Sequence, residues 1–443
     1  MTKVQSPKLN DKNPKLDDEV IMSVPGPKDI TRHVLPNGIV LLVRENRTSP
    51  SVVVTGVLRV GAYDESPEHA GLADFTAETL MRGTENRSFD QIYEALESVG
   101  ASLGVSGGTH GTGFGGKSLG EDLPLLLDVL SDLLRHPTFP PDEVEKVRGE
   151  ILADLAERAH DTRRMANLTF YELAYPEGHP YAISSSGYPE TISGIEREDL
   201  AAFYRGGYGP EGMILVVVGA VETDDVVAQV EDAFVDWDGQ TYAREPLPEV
   251  LSITDVRERR ISIPDKTQSD VVLGYPGPPR AHPGYLDARL CNTILGVFGL
   301  MGRLGEKVRD EQGLAYSSYS HLSGGPGPGP WRIVAGVNPA NVERAVESIR
   351  AEVRRICEEL VGEDELRDSQ AYLTGSMPLH LETNSGVAGT ILSMERYDLG
   401  LDYLQRYKNL IREITPERVQ AAAQRWMDPD AYALAVAGPP EGE

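Results

Sequence analysis

The sequence predicts an α+β fold: two homologous domains, each a largely antiparallel sheet with helices packed on one face. Three observations carry this. First, shifting the chain by 219 positions sets Ile195, Glu198, Ala202, Pro210, Leu215, Val217 and Gly219 on Ile414, Glu417, Ala421, Pro429, Leu434, Val436 and Gly438. Seven matches in one phase, over the same expected order of helix, Pro-containing loop and strand, mean duplication. Second, each half contains β-branched runs bounded by turn residues. Third, each half also contains apolar residues at i, i+3 and i+4. A polar, Pro-containing stretch separates the halves. The expected organisation is a flexible polar tail over 1–28, a first domain over 29–235, a linker over 236–257 and a second domain over 258–443.

Taken in order, GIVLLVREN (38–46) and SVVVTGVLRVGA (51–62), separated by NRTSP, read as paired strands. Helical periodicity follows at LADFTAETLMR (72–82), SFDQIYEALESVG (88–100), LPLLLDVLSDLLR (123–135) and DEVEKVRGEILADLAERA (142–159). IEREDLAAFYR (195–205) then leads into the strand MILVVVGAV, as ITPERVQAAAQR (414–425) leads into YALAVAGPP. The second half offers strands at RRISIPDK, SDVVLGYPG, AYSSYSHLS and WRIVAGV. Its helices are expected at YLDARLCNTILG, GRLGEKVRDEQ and the long amphipathic NPANVERAVESIRAEVRRICEEL. Between two of those strands, SGGPGPGPW (323–331) lacks the Lys-Ser/Thr and following helix of a phosphate loop, and reads as a connection.

Forty-two Lys and Arg against 69 Asp and Glu leave a formal charge of −27. A phosphate-binding surface needs the opposite balance, so nucleic acid is excluded as a partner. The acidic surface supports solubility and would attract cationic peptides. Two cysteines, Cys291 and Cys357, form neither a disulfide framework nor a cysteine zinc site and read as small buried hydrophobes. The first residues lack the apolar segment of a signal peptide, and no run approaches the ~20 apolar residues of a membrane span. The expectation is a cytoplasmic protein without membrane contact.

The segment GLADFTAETLMRGT (71–84) resembles the active-site helix of the insulinase/pitrilysin/mitochondrial-processing-peptidase family, the metallopeptidases with an inverted zinc motif, His-x-x-Glu-His. Gly71, Leu72, Ala73, Phe75, Gly83 and Thr84 fit that frame. LPNGIVLLVREN resembles the family's first hairpin, DEVEKVRGEILADL its distal-ligand helix, HPYAISSSGYPETI its next loop, and VRDEQGLAYSSYS its second-half signature. The resemblance covers about residues 30–438 and implies the duplicated fold of the processing peptidases.

The departures are chemical. Where the family has its zinc-binding histidines, this chain has Asp74 and Glu78; where it has the catalytic Glu, it has Ala77. The third ligand position, 76 residues beyond Glu78, holds Asp154, and an acid usual seven residues earlier is Val147. Three carboxylates without a nitrogen are hard oxygen donors suited to magnesium, calcium or manganese rather than zinc. Ala77 cannot take a proton from a water, so the general base is missing. The expectation is a degenerate site with no metal and no cofactor in this chain; zinc is expected in a catalytic partner. Seven glycines over 104–116 weaken the edge strand to which the family's substrates add, and His110 within that stretch reads as a surface or packing residue rather than a metal ligand.

Arg309 and Tyr316, in RDEQGLAY, occupy the family's Arg/Tyr pair, which donates hydrogen bonds to the scissile carbonyl; a guanidinium and a phenol both stabilise charge growing on oxygen. Gly313 between them suits a left-handed helix stop. The resemblance therefore implies a non-catalytic subunit of a heterodimeric zinc metallopeptidase acting on unfolded peptides in a closed chamber. Its partner would carry the intact His-x-x-Glu-His and would receive Arg309 and Tyr316. A scaffold or peptide-binding protein of the same fold, and a hydrolase using another metal on Asp74, Glu78 and Asp154, are the alternatives. Retention of the Arg/Tyr pair opposes the first and Ala77 the second.

Overall fold

A computed structural model describes residues 24–244, 246–297 and 302–440. Two sheets, one from each half, are built on one plan. The first contains β1 (Thr31–Val34), β2 (Val40–Glu45), β3 (Ser51–Leu58), β4 (Ser102–Ser106), β5 (Thr112–Leu119) and β6 (Ile214–Gly219), in the order β1-β2-β6-β3-β5-β4. The second contains β7 (Arg257–Ser262), β8 (Ser269–Pro276), β9 (Ala315–Leu322), β10 (Pro330–Val337) and β11 (Ala433–Gly438), in the order β7-β11-β8-β10-β9. β1 apart, the two orders coincide when each strand is matched to its counterpart in the repeat. In both sheets the last strand inserts between two others, parallel to one neighbour and antiparallel to the other.

That insertion corrects one expectation. β2 and β3 are not paired with each other, because β6 lies between them; β2 pairs instead with β1 across the turn at Gly38. The reason is burial. ILVVVG of β6 is apolar along its length and buried on nearly every residue, as a central strand must be.

The helices of the first half are α1 (Leu72–Leu80), α2 (Phe89–Ser98), α3 (Leu123–Arg135), α4 (Pro141–His160), α5 (Thr162–Ala174), α6 (Pro189–Gly194), α7 (Arg197–Gly207) and α8 (Thr223–Phe234). Those of the second are α9 (Tyr285–Leu295), α10 (Val342–Glu358), α11 (Glu363–His380), α12 (Asn384–Arg396), α13 (Tyr403–Arg412) and α14 (Pro416–Trp426). The sequence repeat is reproduced to the residue: a shift of 219 carries α7 onto α14 and β6 onto β11. Ser88 caps α2 and Gln91 returns the bond, a complete capping box. The expected helix at 302–312 is instead π-helical over Gly305–Glu311, and Gly313 after it has φ +60°.

Most helices cover one face of their own sheet. The opposite face is closed by exchange: Ala166, Phe170 and Ala174 of α5 pack on Val272, Val334, Ala433 and Ala435 of the second sheet. Reciprocally, Val387, Ala388 and Ile391 of α12 share a core with Leu42, Val53, Val216 and Val218 of the first. Polar bonds fix both helix starts. Thr162 and Arg163 bond the Asp270 carboxylate at 2.6 and 3.2 Å, and Asn384 Nδ2 donates to Ser51 O at 3.1 Å.

The expected tail over 1–28 lies mostly outside the described residues; within 24–28, Pro25 and Gly26 are buried rather than free. Cys291 and Cys357 are buried free thiols. No helix among the described residues is long and apolar enough to cross a membrane.

Candidate functional site

α1 carries the motif positions, and its start is built with care. Gly71, at φ +95°, sits where a Cβ would strike Ile192 and Gly187, so only glycine fits. The carboxylate of Glu65, which sequence spacing did not single out, accepts the N–H groups of Gly71 (2.9 Å) and Ala73 (2.8 Å). Burial pushes Glu65 up to about 7 against the pull of these donors, with the charge of Asp74 adding to the rise.

Asp74 lies one turn in. Burial raises its carboxyl, while the Ser186 hydroxyl and the Gly107 N–H bond to it and the charge of Asp154 pushes it further up. Ala77 is fully buried and offers no acceptor. Glu78 has no ion-pair partner among the described residues. Burial first, then Asp74 and Glu150, push it up to about 7, with Arg82 opposing. Asp154, on α4, is claimed by another group: Arg164 grips both oxygens at 3.0 and 2.6 Å and holds its carboxyl below the usual range. Val147 is buried in the first-half core.

The structure thus gathers Asp74, Glu78 and Asp154 near one another, but not as a metal site. Zinc does not fit this arrangement: the set has no imidazole, and the oxygens of Asp74 and Asp154 are already engaged by N–H, hydroxyl and guanidinium donors. Among the described residues, no three His, Cys, Asp or Glu side chains are placed to hold a metal ion.

The glycine-rich edge is better ordered than its composition predicts. β4 forms over Ser102–Ser106 and pairs antiparallel with β5, Gly104 lying opposite Gly115. Only one glycine falls within β4, and Val105 lies opposite Phe114, which is buried. Gly107, Gly111 and Gly116 serve close approach: a Cβ on Gly107 would lie 2.6 Å from Asp74 Cα. The β4–β5 turn is tied down where Ala62 and Tyr63 N–H bond Gly108 O and Thr109 O. His110 is a packing residue, its Nε2 2.5 Å from Tyr181 Oη and its ring stacked on Tyr63; burial and the charges of Arg244 and Arg396 drive it down to about 4. The 323–329 connection is anchored from the first half, Tyr175 Oη donating to Pro328 O at 2.9 Å.

Arg309, in the π-helical segment Gly305–Glu311, and Tyr316, at the start of β9, the edge strand of the second sheet, lie apart from this cluster. Arg309 Nε donates to Tyr316 O at 3.1 Å and its Nη1 to Asp310 at 2.9 Å. Tyr316 is 79% exposed. Among the described residues, no hydrogen bond or ion pair joins either to Asp74, Glu78 or Asp154.

Residues 40–178 match the family model of insulinase (peptidase family M16), and residues 194–373 match that of the peptidase M16 inactive domain. An uncharacterized zinc protease of Streptomyces coelicolor is 29% identical over 406 residues, 89% of this chain and 86% of the relative. YmxG of Bacillus subtilis, also an uncharacterized zinc protease, is 25% identical over 93% of this chain and 98% of its own. A crystal structure described as the peptidase M16 inactive domain from Pseudomonas fluorescens superposes with a TM-score of 0.86 at 24% identity, covering 93% of this chain and 98% of that one. A protease from Helicobacter pylori gives 0.83 at 18% identity, over 93% and 99%.

Proposed function

The chain belongs to the insulinase family of peptidases, family M16, and from that premise we propose that it is the non-catalytic subunit of a two-chain peptidase. One observation carries the reading: in the motif cluster Arg164 grips Asp154 and the β4–β5 turn lies against Asp74, whereas Tyr316 stands exposed on a free sheet edge with Arg309 braced beside it. A residue set that has lost its own base yet keeps two outward donors is suited to completing another chain's site. The partner is a family member with the intact His-x-x-Glu-His motif, which would hold the zinc; the substrate is an unfolded peptide bound in extended form.

In that arrangement the Tyr316 hydroxyl and an Arg309 N–H donate to the scissile carbonyl oxygen as negative charge builds on it. The bond from Arg309 Nε to the Tyr316 carbonyl ties the two residues to one short segment before substrate arrives.

Reconstitution with such a partner tests this. Tyr316→Phe removes one hydroxyl from an exposed ring, leaving fold and association unchanged. Loss of a single donor of this kind lowers turnover by about 10²–10³, and KM should move less than kcat. A kcat within about twofold of the parent, or failure of the chain to associate with any motif-bearing relative, overturns the proposal.

A further inference from the structure

The second half holds a cleft of about 440 Å³ between α9, α11, α12 and α13, remote in function from the motif cluster. That volume lies within the range of small-molecule pockets. Arg280 and Arg289 line it, and no carboxylate does. In a chain of formal charge −27, two lining guanidiniums without an acidic partner call for an explanation.

Neither is idle packing. Arg280 is sandwiched between the rings of Tyr285 and Tyr403, 4.6 and 5.2 Å from their centroids, and its Nη2 donates to Tyr403 Oη at 2.8 Å. Arg289 lies over Tyr407 at 5.7 Å and its side chain makes no hydrogen bond or ion pair among the described residues. Tyr407 lines the same cleft, and its buried Oη has no hydrogen-bond partner. Aromatic faces hold a guanidinium in place while leaving its N–H fork free for a planar anion. Met377, Leu381 and Met394 give the lining an apolar, adaptable stretch beside the polar Ser376, His380, Thr390 and Ser393.

We propose that this cleft binds an amphiphilic carboxylate, a small ligand whose anionic head meets Arg280 and Arg289 and whose apolar body lies along Met377, Leu381 and Met394. The head would accept the free N–H groups and the unpaired Tyr407 hydroxyl. A compact hydrated anion gains only the first of these contacts and leaves the apolar wall wet.

Titration calorimetry of the full chain with decanoate, below its micelle concentration, tests the assignment. The expected result is saturable binding at one per chain, with decanol and inorganic phosphate each at least tenfold weaker. Arg289→Gln should weaken decanoate at least tenfold while the fold loses only the contact with the Tyr407 ring, because the side chain makes no polar bond among the described residues. Tyr407→Phe should weaken it severalfold. Absence of saturable decanoate binding, equal affinity for decanol or phosphate, or wild-type affinity in Arg289→Gln overturns the proposal. If Arg280→Gln fails to fold, Arg289→Gln alone decides.

Discussion

Replacing Glu65 by Gln should change how stability depends on pH, not simply lower it. Glu65 closes the N-terminus of α1 by accepting two backbone N–H groups, yet its surroundings favour the neutral carboxyl, raising it from 4.5 to about 7. The folded state therefore holds the proton more tightly than the unfolded chain does. Between pH 4.5 and 7 the native form binds more protons, so this group's contribution is fully present below pH 4.5 and declines as pH rises toward 7. At 1.36 kcal/mol per pK unit, the shift corresponds to about 3 kcal/mol lost across that window.

Gln cannot titrate. It keeps one acceptor oxygen and turns an amide N–H₂ toward the second backbone donor, at a cost of about 1–3 kcal/mol for the unmade bond. The variant should thus be the less stable protein at pH 5, with the gap closing or reversing by pH 8. Urea unfolding followed by circular dichroism at several pH values gives both curves. Asp74 and Glu78 titrate in both proteins, so the difference between the curves reports Glu65 together with its coupling to Asp74. Curves that run parallel from pH 4.5 to 7 would refute the reasoning.

Other expectations follow from the same geometry. Phe170→Ala, in the helix that α5 lends to the second sheet, should cost about 3–5 kcal/mol and lower the urea midpoint of both halves together; two separated transitions would contradict it. Gly107→Ala drives a Cβ to 2.6 Å from Asp74 Cα and should destabilise by about 1–3 kcal/mol, whereas Gly104→Ala, with open space around it, should be nearly neutral in the same melting assay. Installing Asp74→His, Ala77→Glu, Glu78→His and Asp154→Glu together rebuilds the family ligand set, but Arg164 remains to compete for the new Glu. Adding Arg164→Ala should tighten zinc at least threefold, in keeping with about 1 kcal/mol for a half-exposed ion pair, as read by metal competition.

The duplication was legible because it is written in residue identities at a fixed offset, and strand and helix periodicity placed most elements around it. Sheet order was only partly legible: the apolar run of β6 marks a buried strand, but nothing local says that it separates β2 from β3. The exchange of α5 and α12 was invisible for a related reason. An amphipathic pattern shows that a helix has an apolar face, not which sheet receives it. At the candidate site, the substitutions at 74, 77, 78 and 154 were readable, whereas the Arg164–Asp154 pair crosses the break between two helices and follows no spacing rule. Glu65 left one faint signal, an acid shortly before a glycine that opens a helix. The ordered β4 strand ran against composition, since most of the glycines lie outside it.

The exchanged helices also bear on how such a chain could have come to exist. Val272, Ala433 and Ala435 of one sheet pack against a helix that the other repeat supplies, and the reverse holds for Val53, Val216 and Val218. A polypeptide holding one repeat would therefore expose an apolar sheet face to water and carry a helix with nothing to cover. Two such molecules trading helices form the smallest self-sufficient unit. Joining them end to end through 236–257 replaces a concentration-dependent encounter with an intramolecular one. Once joined, the two repeats are free to diverge, because every fold requirement is met by the pair rather than by each copy, and one half can give up its chemistry while still serving as the other's lid.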